Sequence, residues 1–93
     1  MKIKFLIPTY LRPNAGGRNS VEIATQAATV REALAALWKV YPGLRDRVLD
    51  EQGAVRQHVN IFVNVDNIRD IGGLAGPVAD GAEIMIVPNI SGG

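Results

Sequence analysis

The chain has 93 residues, 47% of them hydrophobic, and its ten basic and nine acidic residues leave a formal net charge of +1. This length and hydrophobic content are typical of one globular domain, and no apolar run is long enough to span a membrane, so we expect a soluble, cytoplasmic protein. The small net charge gives no reason to expect a nucleic-acid or membrane partner, and the absence of cysteine excludes disulfides, thiol nucleophiles and thiolate metal sites.

The N-terminal segment predicts a β-hairpin. Apolar and polar residues alternate over residues 2–7, a pattern typical of a half-buried strand, and Leu6 has the solvent-side parity. Residues 12–19 are rich in Pro, Asn and Gly and predict a loop, and a second strand follows near residues 20–25. We expect the two strands to pair antiparallel, and the core-facing side of the first strand consists of Ile3, Phe5 and Ile7.

The middle of the chain predicts one amphipathic helix. Thr29 and Glu32 have the spacing of a capping box, so the helix begins just after Thr29, and Pro42-Gly43 ends it. Between these limits, apolar residues recur at helical spacing and form a broad stripe that is expected to pack into the core. The stripe consists of Val30, Ala33, Leu34, Leu37, Trp38 and Tyr41. An ambiguous helical turn follows, with the candidate core residues Leu44, Val48 and Leu49.

The second half of the chain predicts one long strand, a short edge strand and a final strand. Residues 55–65 alternate in polarity, with Phe62 on the solvent side, and Asn64-Val65-Asp66-Asn67 carries turn residues. Residues 68–69 are expected to begin the edge strand, and residues 83–87 form the final strand, with Met85 on the solvent side. The positions expected to face the core are Val59, Ile61, Val63, Val65, Ile84 and Ile86.

The C-terminal stretch carries the candidate chemistry. A tight turn at Asp80-Gly81 precedes the final strand, and residues 88–93 are predicted to form a flexible tail that ends on Gly92 and Gly93. The terminal carboxylate is an unreactive anion at neutral pH, and it becomes electrophilic only when activated, for example as a mixed anhydride with AMP. Glycine suits this chemistry because it has no side chain to hinder attack. The alternative is a passive diglycine end without a function.

The order of the elements predicts the fold. A hairpin, one helix and two or three further strands indicate an α+β domain covering residues 1–93, with a mixed sheet of four to five strands and the helix packed on one face. If the first and last strands are neighbours, the crossover makes them parallel in the centre of the sheet. This arrangement is the β-grasp, or ubiquitin-like, fold.

The sequence resembles the ubiquitin-like sulfur-carrier family (the ThiS/MoaD family) over nearly its whole length. The segments that carry the resemblance are Val59-Asn60-Ile61-Phe62-Val63-Asn64, Gly72-Gly73-Leu74-Ala75, Asp80-Gly81-Ala82-Glu83-Ile84, Ile86-Val87-Pro88 and Gly92-Gly93. Within the family the chain is most similar to the branch that serves cysteine synthesis, through Ile7-Pro8-Thr9, Leu11-Arg12-Pro13 and Gly16-Gly17. Ser91 stands where that branch is expected to have alanine, and since both residues are small, we expect no functional change.

The resemblance implies a protein cosubstrate and not an enzyme. An E1-like adenylating and sulfurtransferase enzyme would adenylate the Gly93 carboxylate, and a sulfur donor would convert it to a thiocarboxylate. In the cysteine branch a pyridoxal-phosphate cysteine synthase would accept the sulfur, and a JAB/MPN-type zinc peptidase would release cysteine. ATP, pyridoxal phosphate and zinc would therefore belong to the partner enzymes, and this chain would bind no cofactor or metal itself.

Two alternatives remain open at this point. The sulfur could serve molybdopterin, thiamine or a specialised metabolite, and the chain could instead be a ubiquitin-like modifier or an interaction module.

In each case partners must recognise the domain. Solvent-facing apolar side chains on neighbouring strands would suit this role, unless a loop covers them or each is exposed singly. Lone His58 has no ligand partner at metal-binding spacing. The predicted partner-binding residues are Leu6, Phe62, Met85, Pro88, Ile90 and Ser91.

Overall fold

The fold is taken from a computed structural model that describes residues 1–88; residues 89–93 lie outside the described part. The strands are β1 (Lys2–Leu6), β2 (Ser20–Ala24), β3 (Val59–Val63), β4 (Asp66–Asn67) and β5 (Glu83–Pro88). The α-helices are α1 (Val30–Val40) and α2 (Arg45–Val48), and short 3-10 segments cover Thr9–Ala15, Pro42–Leu44, Ile68–Asp70 and Gly73–Ala75. None of these helices is long and apolar enough to cross a membrane.

The strands form one mixed, five-stranded sheet in the order β2-β1-β5-β3-β4. The central strands β1 and β5 are parallel, and the pairs β1–β2, β3–β5 and β3–β4 are antiparallel. The first and last strands of the chain are thus neighbours in the centre of the sheet, as predicted. The α+β β-grasp fold inferred from the element order is confirmed.

Helix α1 starts and packs as the sequence predicts. The Thr29 hydroxyl accepts a hydrogen bond from the Glu32 backbone N–H (3.3 Å), while the Glu32 carboxylate accepts one from the Thr29 backbone N–H (3.2 Å), which completes the capping box. The inner stripe of the helix joins one core cluster with the inward-facing residues of β1, β3 and β5. Its fully buried members are Val30, Ala33, Leu34 and Leu37, and its partly buried members are Trp38 and Tyr41.

The long strand predicted over residues 55–65 is wrong at both ends. At the start, the Val59 N–H donates to the Arg56 carbonyl (3.0 Å), so a turn precedes β3. At the other end, Asn64 adopts a left-handed backbone with φ 55° and opens a two-residue turn between Val63 and Asp66, which are paired. Asparagine tolerates this conformation better than other non-glycine residues, and the turn leaves Val65 89% exposed.

The edge strand also differs from the prediction. It covers Asp66–Asn67, and the segment expected to begin it, Ile68–Asp70, is a 3-10 turn. The Asn67 side chain accepts a hydrogen bond from the Arg69 N–H (3.0 Å) and thereby ends the strand. This turn directs Ile68 into the core, where only 4% of its surface remains exposed.

A tight turn before β5 places this strand beside β1. Gly81 has φ 81°, and the Ala82 N–H donates to the Ala79 carbonyl (3.0 Å), as expected for the Asp80-Gly81 turn. The Asp80 carboxylate accepts a hydrogen bond from the Lys2 N–H (2.9 Å), which joins the turn to the beginning of β1. Strand β5 then continues to Pro88, one residue beyond the predicted end of the strand.

Candidate functional site

Three apolar side chains form a row across the centre of the sheet. Leu6 of β1 is paired with Met85 of β5, and Met85 is paired with Phe62 of β3. All three are partly exposed, and they lie on the sheet face opposite α1, since the alternate residues of each strand face the core. The predicted placement of these residues on neighbouring strands is confirmed, and their role in partner binding stays a prediction.

The apolar row is bounded differently on its two sides. On the side away from Pro88, Lys4 is paired with both Glu83 and Glu22, so the adjacent row is charged. On the other side the next outward residue of β5 is Val87, which is partly exposed, and Pro88 follows it. Pro88 lies three residue steps beyond Met85, or about 10 Å along a strand. The apolar row therefore lies close to the point where β5 ends.

An open depression of about 440 Å³ adjoins the apolar row at this end of the sheet. Its walls include Leu6 and Met85 from the row, Pro8 and Val87 beside them, and Arg12 from the 3-10 segment that follows β1. The Arg12 Nε–H donates a hydrogen bond to the Ile7 carbonyl (3.1 Å), which holds the Nε end of the guanidinium group in place. We call this pocket, with these walls, the root depression.

Sequence reasoning did not identify Arg12 as a site residue. The Leu11-Arg12-Pro13 segment was informative only as part of the family resemblance, because a loop arginine by itself is typical of a solvated surface. The structure shows that Leu11 is fully buried and that the 3-10 segment returns Arg12 to the outer face of the sheet. Burial of Leu11 and Ala15 holds this segment in place.

The reactive end predicted from sequence, Gly92 and Gly93, lies outside the described residues, as do Ile90 and Ser91. Five residues follow Pro88, and a fully extended chain of that length spans at most about 17 Å. The predicted acyl site is thus no farther than this from the end of β5. The end of β5 itself adjoins the root depression, since Val87 is one of its walls. Pro88 itself is exposed at the end of the strand.

The described part of the chain offers few groups for acid–base or metal chemistry. Residues 1–88 contain no group of three or more His, Asp or Glu residues that could hold a metal ion. His58 is exposed. Partial burial raises the pKa of the Tyr10 phenol above 10.0, so this hydroxyl stays neutral at physiological pH.

Comparisons with known proteins agree with this geometry. The chain is 37% identical over 95 residues to the sulfur carrier protein CysO of Mycobacterium tuberculosis, and the match covers all of both chains. It superposes on a chain of the Amycolatopsis orientalis BexX/CysO complex with a TM-score of 0.87 and 34% identity, over 98% of this chain and 99% of that chain. It is also 35% identical over 66 residues to small archaeal modifier protein 3 of Haloferax volcanii, with 71% of each chain covered.

A family model matches almost the whole sequence. Residues 5–93 match the model of the ThiS family, from the second half of β1 to the diglycine end. The match includes the end of β1, the other four strands, the α1 helix and the residues predicted to carry the chemistry. This chain therefore belongs to the ThiS family, the ubiquitin-like sulfur-carrier family that its sequence resembles.

Proposed function

We propose that this chain is a sulfur carrier whose Gly93 carboxylate is adenylated, converted to a thiocarboxylate and used to donate sulfur, with cysteine biosynthesis as the destination. The observation that carries this proposal is the family match, which extends to Gly93 itself. The full-length similarity to CysO supports the carrier role and the cysteine branch. The chain acts as a protein cosubstrate in the cytoplasm, and its partner enzymes supply the catalytic groups.

The proposed chemistry needs little from the chain beyond an unhindered terminal carbonyl. A carboxylate oxygen of Gly93 attacks the α-phosphorus of ATP and pyrophosphate leaves, which gives the acyl-adenylate. Hydrosulfide supplied by a sulfur donor then attacks the carbonyl carbon, displaces AMP and loses its proton. The product is a thiocarboxylate, which is softer and more nucleophilic than the carboxylate, and its attachment to a protein prevents sulfide from diffusing away.

The domain presents its apolar row to the activating enzyme in this proposal. Leu6, Met85 and Phe62 are neighbours along this row, and interfaces concentrate their binding energy in such central apolar contacts. The apolar row lies close to the end of β5, so an enzyme bound to it would receive the following five residues in its active site. The similar CysO protein of Amycolatopsis orientalis is found in a complex with a second protein, BexX, which supports the proposal that this chain binds a partner such as an E1-like or acceptor enzyme.

Phe62→Ala tests the role of the row. We expect this variant to bind the activating enzyme about tenfold more weakly, because truncating a central aromatic contact costs more than 1 kcal/mol. The thermal midpoint should change little, since the Phe62 side chain is outside the core cluster. The measurement is a calorimetric titration, and Val40→Ala is the matched control because Val40 is exposed at the end of α1, away from the row. Equal dissociation constants for the Phe62 variant and the unchanged chain would contradict the proposed docking face.

A second candidate function is a ubiquitin-like modifier. The specific observation in its favour is the similarity to small archaeal modifier protein 3. A modifier would use the same activated Gly93 carbonyl, but a lysine amine would attack it and give an isopeptide bond. The two functions therefore differ in the fate of the acyl-adenylate and not in its formation.

Intact-protein mass spectrometry separates these functions. The chain is incubated with ATP, the activating enzyme and a sulfur donor, and a carrier is expected to gain the mass difference between sulfur and oxygen. Addition of a pyridoxal-phosphate cysteine synthase with its substrate should then give a chain that carries cysteine, which the JAB/MPN-type peptidase removes. Isopeptide-linked products without the sulfur-for-oxygen exchange would replace the carrier proposal with the modifier.

A further inference from the structure

The guanidinium of Arg12 is held at the rim of the root depression without an acidic partner among residues 1–88. Its Nε–H donates to the Ile7 carbonyl, and neither Nη group has a hydrogen-bond partner within the part of the chain that the structure describes, so both can bind another molecule. Within this described part, Arg45–Asp46 is the one ion pair within 4 Å, so no carboxylate lies within that distance of Arg12. Arg12 is also only partly exposed, and a partly buried charge gains most from a partner that also excludes water.

Arg12 gives the root depression its positive character. The walls contain Lys4 and Arg12 but no aspartate or glutamate, and the remaining walls are apolar or uncharged. Lys4 lies directly between Glu22 of β2 and Glu83 of β5, which offset its charge, whereas no residue of opposite charge is paired with Arg12 among residues 1–88. The chain as a whole is close to neutral, with a net charge of +1, so this local positive character is a property of the site and not of the composition. A surface of this kind is complementary to a carboxylate flanked by apolar side chains.

We propose that the root depression receives an Asp or Glu side chain of the activating enzyme, which accepts hydrogen bonds from the Nη groups of Arg12 while apolar neighbours of that residue contact Leu6 and Met85. This inference rests on the proposed function and adds to it the chemistry of the partner. The apolar row supplies affinity, and the arginine–carboxylate contact determines the orientation in which the partner binds. Arginine suits this task because its planar fork can bind both oxygens of one carboxylate.

The position of Arg12 gives this contact a consequence for the tail. Arg12 and Val87, the next-to-last residue of β5, both line the root depression, so a partner held by both Arg12 and the apolar row is fixed in position near the point where the last five residues begin. Two separated contacts restrict rotation of the partner about the sheet, whereas the apolar row by itself allows several orientations. Correct orientation matters because a reacting carbonyl must be placed within a fraction of an ångström.

The test is calorimetric binding of the full chain to the purified activating enzyme, measured without ATP at low and high salt. Arg12→Gln is expected to weaken binding by about tenfold or more and to reduce its salt dependence, because a hydrogen bond to a charged group is lost. Arg12→Lys should recover part of the affinity. Arg18→Gln is the matched control, since Arg18 carries the same charge in the same β1–β2 connection, is exposed and does not line the depression.

A charge exchange identifies the partner group. Arg12→Glu should bind more weakly still, and one acidic-to-lysine replacement on the activating enzyme should restore that binding while weakening binding of the unchanged chain. The inference is overturned if, without ATP, Arg12→Gln binds as tightly as the unchanged chain, even if an effect appears once ATP is present. It is also overturned if no replacement on the activating enzyme restores binding of the Arg12→Glu variant. Loss of binding by Phe62→Ala together with normal binding by Arg12→Gln would retain the docking face and reject only the carboxylate contact.

Discussion

Deletion of Gly92 and Gly93 is expected to abolish formation of the thiocarboxylate completely and to leave the fold unchanged. The shortened chain still ends in a carboxylate, but each residue removed draws this group back by about 3.5 Å, so it falls about 7 Å short of the partner's catalytic groups. The new terminal residue, Ser91, also has a side chain beside the carbonyl. The measurement is the mass of the intact chain after incubation with ATP, the activating enzyme and a sulfur donor.

The matching measurement is the thermal midpoint of the shortened chain. Among residues 1–88, the buried members of the core cluster lie between Ile3 and Ile86, so the deletion removes none of them and the midpoint is expected to be unchanged. Ser91→Ala in the full-length chain is the control for altered sequence near the end, and it should gain sulfur as the unchanged chain does. A shortened chain that still acquires the sulfur-for-oxygen mass difference would show that the reactive group lies elsewhere.

Phe5→Ala is expected to remove about 3–5 kcal/mol from the free energy of unfolding, the usual cost of deleting a fully buried aromatic side chain. Phe5 has no exposed surface and lies on β1, where it is paired with Val21 of β2 on one side and with Ile84 of β5 on the other. A domain of this size is stable by only about 5–15 kcal/mol, so the variant should be close to unfolding at 37 °C. Urea denaturation followed by circular dichroism measures the change.

Val65→Ala is the control for this prediction. The sequence pattern assigned Val65 to the core, yet the residue is 89% exposed in the turn after β3. The structure therefore predicts a change within about 0.5 kcal/mol, as for other surface substitutions. A loss of several kcal/mol for Val65→Ala, or a small loss for Phe5→Ala, would contradict the core described above.

Local sequence patterns were sufficient for the elements whose stabilising contacts are local. The capping box that starts α1 involves side-chain and backbone groups within three residues of one another, and the alternation in β1 repeats over a single strand. The Asp80-Gly81 turn depends on one glycine that can adopt a positive φ. The turn residues at Asn64-Val65-Asp66-Asn67 were also visible in the sequence, but the alternation of polarity continues through Val65. This alternation extended the predicted strand too far and placed in the core a residue that the turn exposes.

The sequence by itself determined the family, the β-grasp order of elements and the diglycine end. Each of these depends on short segments whose pattern can be read without knowing which distant residues they contact. Only the tertiary structure decided that Leu6, Met85 and Phe62 form one row and that Arg12 joins it without a carboxylate partner among the described residues. These residues are far apart in the chain, and they meet because burial of one sheet face fixes the register of each strand against its neighbour, which in turn aligns the opposite face.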